Sequence, residues 1–170
     1  MELLVVVDMQ RDFIDGALGT KEAVAILPYV EKTIKQHKGK VLFTRDTHES
    51  GYLDTQEGKK LPIAHCIRDT EGWQIHPLLA PLVEETPIDK VTFGSVELGR
   101  RVREMEGVTG VTLLGLCTDI CVISNAMLIK AFCPELPVRV DACGCAGVTP
   151  ESHNRALDAM ATCQIEILGR

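Results

Sequence analysis

The segment from Gly115 to Val122 places two cysteines where a short apolar run gives way to an amphipathic one. The run Val111–Gly115 predicts a strand, and the pattern from Asp119 to Phe132 predicts a helix. Cys121 then falls in the first helical turn, where the helix dipole and unpaired backbone N–H groups lower the pKa of a thiol. Those N–H groups can also stabilise an oxyanion. Cys121 is therefore a candidate nucleophile, and burial as a small hydrophobic side chain is the alternative.

Two charged residues stand at the ends of other predicted strands. Asp8 follows the apolar run Leu3–Val7, and Lys90 lies near the end of the short predicted strand Pro87–Val91. A carboxylate at the end of a buried strand is costly unless it is paired. A lysine beside it would keep Asp8 ionised and would favour a nearby thiolate. The alternatives are a structural cap for Asp8 and an ordinary surface charge for Lys90.

A second group of polar residues predicts a metal site. Asp46 and His48 are two residues apart, His65 follows, and Glu57 lies between them as a candidate fourth ligand. Carboxylate and imidazole ligands suit a divalent metal, with zinc expected and iron or manganese open. The segment from Thr47 to Pro87 that carries His48, Glu57 and His65 is longer than most structureless connections, which favours a functional role.

The remaining histidines and cysteines offer a competing hypothesis. A non-catalytic zinc or redox module could use Cys117 and Cys121 with Cys143 and Cys145, but neither spacing is the CxxC pair typical of structural zinc sites. Three histidines have no cooperating partner in the sequence and are predicted to be structural: His37, His76 and His153.

Strands and helices alternate along the whole chain. Further strands are predicted at Val41–Thr44, Val138–Val140 and Gln164–Leu168, and further helices at Ala23–Lys38, Val96–Glu106 and Pro150–Cys163. This alternation predicts an α/β fold: a doubly wound, mostly parallel sheet with helices on both faces, in one domain spanning residues 1–170. Ligands of such sheets bind outside the carboxyl ends of the strands, where the candidate residues are expected to meet.

Composition excludes several classes of protein. The 170 residues carry 18 Lys and Arg against 24 Asp and Glu, a net charge of −6, which predicts no nucleic-acid partner. No apolar run approaches the roughly 20 residues that span a bilayer, so no membrane association is expected. The acidic second residue argues against a signal peptide. The odd number of cysteines, seven, then favours a reducing cytoplasm over a disulfide framework.

Taken in order, the candidate residues resemble the isochorismatase-like cysteine hydrolases, and within them the nicotinamidase (pyrazinamidase) branch. The resemblance extends over nearly the whole chain. It rests on these segments: Val6–Phe13, Arg45–His48, His65–Ile67 with Gly72 and His76–Pro77, Lys90 with Phe93, Gly115–Val122, and the last helix with His153, Arg155, Ala156, Leu157 and Met160.

The resemblance implies a function and a set of roles. The protein would be a cysteine-dependent amidohydrolase that acts on a small, nicotinamide-like amide through a thioester intermediate. Asp8, Lys90 and Cys121 would form the catalytic triad. A cis peptide before Cys117 would direct its N–H and that of Cys121 toward the oxyanion, and Phe13 would contact the substrate.

The resemblance also implies a metal at the substrate site. Asp46, His48 and His65 would hold it, and Glu57 is placed like the extra carboxylate of some nicotinamidases. Members of the family often form dimers or tetramers, so a homo-oligomer is expected.

One position departs from the family pattern. Pro62 stands where many nicotinamidases have an aromatic residue that sandwiches the pyridine ring, so Phe13 has no predicted partner. This departure motivates an alternative substrate for the same triad, a carbamoyl or ureido compound or another small amide.

Overall fold

The computed structural model describes residues 1–170 and is built on a six-stranded parallel sheet. The strand order is β3-β2-β1-β4-β5-β6, and every neighbouring pair is parallel. This arrangement confirms the predicted α/β class. The strands are Glu2–Val7 (β1), Lys40–Asp46 (β2), Ile88–Lys90 (β3), Gly110–Leu116 (β4), Val138–Ala146 (β5) and Glu166–Leu168 (β6).

Six α-helices connect and flank these strands. The side chains of Thr20, Ser95 and Thr149 each accept a backbone N–H in the first turn of the helix that they precede, which satisfies a donor that the first turn leaves free. The helices are Arg11–Ile14 (α1), Lys21–Gln36 (α2), Gln56–Lys60 (α3), Val96–Glu104 (α4), Ile123–Phe132 (α5) and Pro150–Thr162 (α6).

The central strand β1 shows why the sheet is covered on both faces. Successive strand side chains point to opposite faces, yet all five residues of Leu3–Val7 are at most 1% exposed. Helix α2 packs against β4 and β5, while α5 contacts α4, α6 and β5. The core is one cluster of 37 buried apolar residues. No helix has both the length and the apolar character needed to cross a bilayer.

Two elements differ from the sequence prediction. The predicted helix from Asp119 to Phe132 is preceded and partly replaced by a π-helical turn, Thr118–Val122, before α5 begins at Ile123. Strand β5 continues six residues beyond the predicted end at Val140, through a segment rich in small residues that lacks strand periodicity. Its pairing with β4 shifts in register between Leu113 and Gly115.

The order of the strands decides where the site lies. Strands β1 and β4 are parallel neighbours at the centre. From β1 the chain adds strands outward on one side, to β3, and from β4 it adds them outward on the other side, to β6. A crevice opens at the carboxyl ends of strands at such a switch point. Val7, at the end of β1, pairs with Gly115 near the end of β4, so Asp8 and Cys117 follow on neighbouring strands.

Candidate active site

The buried ammonium of Lys90 joins the side chains predicted to form the triad. Its Nζ lies 2.6 Å from Asp8 Oδ2 and 3.5 Å from Cys121 Sγ. The Lys90 side chain is 2% exposed and that of Asp8 is fully buried. Strand pairing explains the meeting, because β1 and β3 flank β2 and both end at the same edge of the sheet. The structure therefore brings together three residues that are up to 113 positions apart in the sequence.

The carboxyl group of Asp8 has two different surroundings. Oδ1 accepts a hydrogen bond of 2.7 Å from the Thr44 hydroxyl. Oδ2 faces Lys90 and has no partner with hydrogen-bond geometry. Asp8 also has a φ of 47°, in the left-handed region that Asp tolerates better than most residues. Oδ2 is thus the oxygen available to exchange a proton with a neighbouring group.

Burial dominates the electrostatics of the triad. Burial raises the pKa of the Asp8 carboxyl above its ordinary value, although the Lys90 charge opposes this. Burial and the nearby Asp8 raise the pKa of the Cys121 thiol well above its ordinary value. Burial favours the neutral amine of Lys90, but Asp8 and Cys121 outweigh it and raise the pKa of Lys90. A thiol with so raised a pKa is protonated at neutral pH, so thiolate formation needs a base.

The turn between β4 and α5 presents Cys117 and Cys121 to the same cavity. The peptide between Leu116 and Cys117 is cis. The Cys117 carbonyl accepts hydrogen bonds from the N–H groups of Ile120 and Val122, whereas the Cys117 N–H donates none within the protein. Burial raises the pKa of the Cys117 thiol to about 12, so its side chain stays protonated. Only its backbone N–H is free to act on a ligand.

The four predicted metal ligands lie in one group beside the triad. Each of Asp46, His48, Glu57 and His65 offers an atom, and these atoms all lie within 4.8 Å of one another. Asp46 Oδ2 is 2.8 Å from His48 Nε2 and 3.6 Å from His65 Nε2. Glu57 Oε1, carried on α3, is 3.6 Å from His48 Nε2. The structure therefore brings all four together, including the three supplied by the long connection.

The donor set fits a divalent cation. His48 Nε2 is buried and has no hydrogen-bond partner, which is costly unless a ligand occupies it. His65 Nδ1–H donates to the Ile63 carbonyl at 2.7 Å, so the lone pair of Nε2 faces the group. Burial would raise the pKa of Asp46, but the adjacent His48 and His65 imidazoles and the charge of Lys90 lower it, which keeps an anionic ligand. None of the seven free cysteines belongs to this group, which gives the cysteine-based module no support.

A ring of buried hydrogen bonds holds the metal-binding segment. The Gln10 side chain donates to the Asp46 carbonyl at 2.8 Å and accepts from the Asp46 N–H at 2.7 Å. Trp73 Nε1–H donates to Thr47 Oγ1, and the Arg45 guanidinium lies 3.6 Å above the Trp73 ring. Trp73 thus supports the segment from outside and does not line the cavity.

Cys121 of the triad lines one mostly apolar cavity of about 230 Å³ together with three residues of the metal group, Asp46, Glu57 and His65. Phe13 and Phe93 are its two aromatic residues. The Phe13 ring is buried and lies 5.5 Å from the His65 ring, whereas Phe93 is 42% exposed. The cavity is lined by Phe13, Leu18, Thr20, Ala23, Asp46, Glu57, Leu61, His65, Phe93, Leu116, Cys117, Ile120, Cys121, Gly147 and Val148.

Comparison with known proteins agrees with this geometry. A model of the isochorismatase domain matches residues 2–169. The chain belongs to this family. It is 28% identical to a nicotinamidase/pyrazinamidase of Mycobacterium tuberculosis (strain ATCC 25618 / H37Rv) over 99% of this chain and 98% of the relative.

Two solved structures resemble the chain along its length. A Pyrococcus horikoshii pyrazinamidase in complex with zinc is 28% identical, with a TM-score of 0.81 and 98% of each chain covered. A nicotinamidase/pyrazinamidase of Bacillus subtilis is 25% identical, with a TM-score of 0.80 and 98% of each chain covered. These relatives confirm the predicted nicotinamidase-like branch and the predicted enzyme class, a hydrolase of amide C–N bonds.

Two residues of the candidate active site, Phe93 and Thr44, have no role assigned to them from the sequence. Phe93 lines the cavity. From the sequence it was only one of the residues that match the family pattern, and its position three residues after Lys90 was the one signal that it lies near the site. Thr44 contacts Asp8 from the carboxyl-terminal half of β2, where no sequence pattern distinguishes it. Pro62 is exposed and its neighbour Leu61 lines the cavity instead.

Proposed function

We propose that this protein hydrolyses the amide of a small heteroaromatic carboxamide, with nicotinamide and pyrazinamide as the first substrates to test. The reaction would release ammonia and the carboxylic acid. The observation that carries the proposal is the contact of one buried ammonium, Lys90 Nζ, with both Asp8 Oδ2 and Cys121 Sγ, where Cys121 lines an apolar cavity.

Acylation begins with proton transfer between two buried side chains. Asp8 Oδ2 takes the proton of the Cys121 thiol, and Lys90 stabilises the thiolate by its charge. The thiolate attacks the amide carbonyl carbon to form a C–S bond and a tetrahedral oxyanion. The N–H groups of Cys117 and Cys121 would stabilise that oxyanion, and one such donor is commonly worth about 3–4 kcal/mol.

Collapse of the oxyanion breaks the C–N bond. Protonated Asp8 donates its proton to the leaving nitrogen, ammonia departs, and a thioester to Cys121 remains. Asp8, again a carboxylate, then takes a proton from water while the water oxygen attacks the thioester carbon. The C–S bond breaks, the acid is released, and the proton returns to Cys121.

The metal site would serve to bind the substrate. Asp46, His48, His65 and Glu57 would hold a divalent ion, with zinc the first to test because of the donor set and the zinc-bound pyrazinamidase relative. When bound, such an ion supplies a Lewis acid that can anchor a ring nitrogen or orient water. Every proton transfer described above is carried by Asp8 and Cys121.

The cavity supports a small ring as the substrate. Its volume of about 230 Å³ is below the range of roughly 300–1,000 Å³ typical of drug-sized ligands. Phe13 and Phe93 both line it, and Phe93 supplies the second aromatic side chain that the sequence left unassigned. An aromatic pair favours a flat heteroaromatic amide over a carbamoyl or ureido compound.

Ammonia release from nicotinamide and pyrazinamide tests the proposal. Cys121→Ala is expected to lower kcat by on the order of 10⁴-fold or more, because no other side chain replaces the nucleophile. Cys145→Ala, a substitution of a buried cysteine outside the main cavity, is the matched control and is expected to remain active. Full activity in Cys121→Ala would overturn the assigned nucleophile. Faster turnover of carbamoyl compounds than of either ring amide would overturn the assigned substrate.

A further inference from the structure

Thr44 contacts the Asp8 residue at two points. Its hydroxyl donates to Asp8 Oδ1 at 2.7 Å and accepts from the Asp8 backbone N–H at 3.3 Å. Both residues are fully buried, so water cannot replace either contact. Thr44 lies on β2, between β1, which leads to Asp8, and β3, which ends at Lys90.

We propose that Thr44 is a positioning residue that fixes the Asp8 carboxyl group with Oδ1 restrained and Oδ2 directed to the reacting proton. The inference rests on the proposed function, since it assigns Asp8 the role of base. It goes beyond that function by naming the group that decides which carboxyl oxygen reacts.

The two oxygens of Asp8 show why such a residue is needed. A carboxylate can rotate, and either oxygen can then face its partner. With Thr44 bound to Oδ1, only Oδ2 remains without a hydrogen-bond partner and beside Lys90 Nζ. The backbone contact acts in the same direction, because it fixes Asp8 in its left-handed conformation with a φ of 47°. General-base catalysis depends on such alignment before it depends on basicity.

The direction in which loss of the Thr44 hydroxyl shifts the pKa of Asp8 can be predicted. The Thr44 hydrogen bond stabilises the charged form of Asp8 and so lowers its pKa, as does Lys90, whereas burial and the charge of Asp46 raise it. The Cys121 thiol is the other titrating group that faces this carboxyl. Without the hydroxyl, Asp8 holds its proton to higher pH, and the acid side of the pH–rate profile moves upward.

Two matched variants isolate the hydroxyl. Thr44→Ser and Thr44→Ala both remove the methyl group, but only serine keeps the donor. Thr44→Ala is expected to lower kcat by roughly tenfold with little change in KM, and to shift the acid midpoint of the profile up by about one pH unit. Thr44→Ser is expected to stay within about threefold of the wild type and to keep its pH midpoint.

A second measurement separates this inference from the proposed function. Iodoacetamide alkylates the Cys121 sulfur with loss of iodide and needs no amide substrate, and its rate at Cys121 can be followed by mass spectrometry across pH. An upward shift in the pH midpoint of Cys121 alkylation in Thr44→Ala supports the role of Thr44 even if the wild-type protein hydrolyses neither ring amide. Identical pH midpoints in the wild type, Thr44→Ser and Thr44→Ala would overturn it, as would equal loss of kcat in both variants.

Discussion

Lys90 and Asp46 make a contact of 3.2 Å, between Nζ and Oδ1, that joins the two halves of the site. The other oxygen of Asp46 faces His48 Nε2 at 2.8 Å, so one carboxylate borders both the triad and the metal group. The two residues are direct neighbours in register across β2 and β3. The electrostatic state of the metal group is therefore coupled to that of Lys90.

Removal of the shared ammonium is expected to harm both stability and activity. Lys90→Met leaves the Asp8 and Asp46 carboxylates buried without their cation, which typically costs about 3–5 kcal/mol. A lower Tm and loss of ammonia release are the expected results, measured by thermal unfolding and by the amidase assay. Lys21→Met, at a lysine whose side chain is 91% exposed, is the control and should match the wild type. An unchanged Tm in Lys90→Met would contradict the contacts of Lys90 with Asp8 and Asp46.

The metal group is tested by elemental analysis of purified variants. His48→Ala and His65→Ala each remove a neutral nitrogen ligand and are expected to abolish stoichiometric metal. Glu57→Gln should weaken binding less, because Glu57 is the most exposed of the four ligands. Cys143→Ser is the control and should retain the metal. Retention in both histidine variants together with loss in Cys143→Ser would instead indicate a cysteine-based site.

Phe93 is expected to contribute binding rather than chemistry. Phe93→Ala should raise KM for nicotinamide by about 3- to 10-fold with kcat nearly unchanged, since a partly exposed aromatic contact is worth roughly 0.5–1.5 kcal/mol. Pro62→Ala is the comparison, because Pro62 is exposed and does not line the cavity. An increase in KM for Pro62→Ala, with none for Phe93→Ala, would remove Phe93 from the binding site.

The pH profile should report the buried base. Burial raises the pKa of Asp8 above the ordinary value of 3.8. A base must be deprotonated to accept the thiol proton, so activity falls as pH drops through this raised pKa, at higher pH than for an exposed Asp. The acid limb of kcat/KM measures it. Asp8→Asn removes the titrating carboxylate and should abolish the activity. A wild-type acid limb with its midpoint at or below 3.8 would show that burial does not control the pKa of Asp8.

Much of the site was predictable because strand ends carry a sequence signal. Asp8 and Lys90 lie at or near the ends of predicted strands. Parallel strands place residues at their carboxyl ends along one edge of the sheet, whatever the order of the strands in the sequence. The alternation of strands and helices fixed the fold class for the same reason, since each element buries a periodic apolar face. Residue types and spacing predicted a group of Asp46, His48 and His65 with Glu57 as a candidate fourth ligand, and the structure brings all four within 4.8 Å of one another.

The sequence by itself determined the chemistry-bearing residue types and the sheet that gathers them. Only the tertiary structure decided that Thr44 restrains Asp8 and that Phe93 lines the same cavity as Phe13. The physical reason is that these contacts join residues 36 and 80 positions apart, and they depend on strand order, register and the path of connecting segments. Local periodicity determines which face of an element is buried, but it carries no information on which distant side chain that face meets.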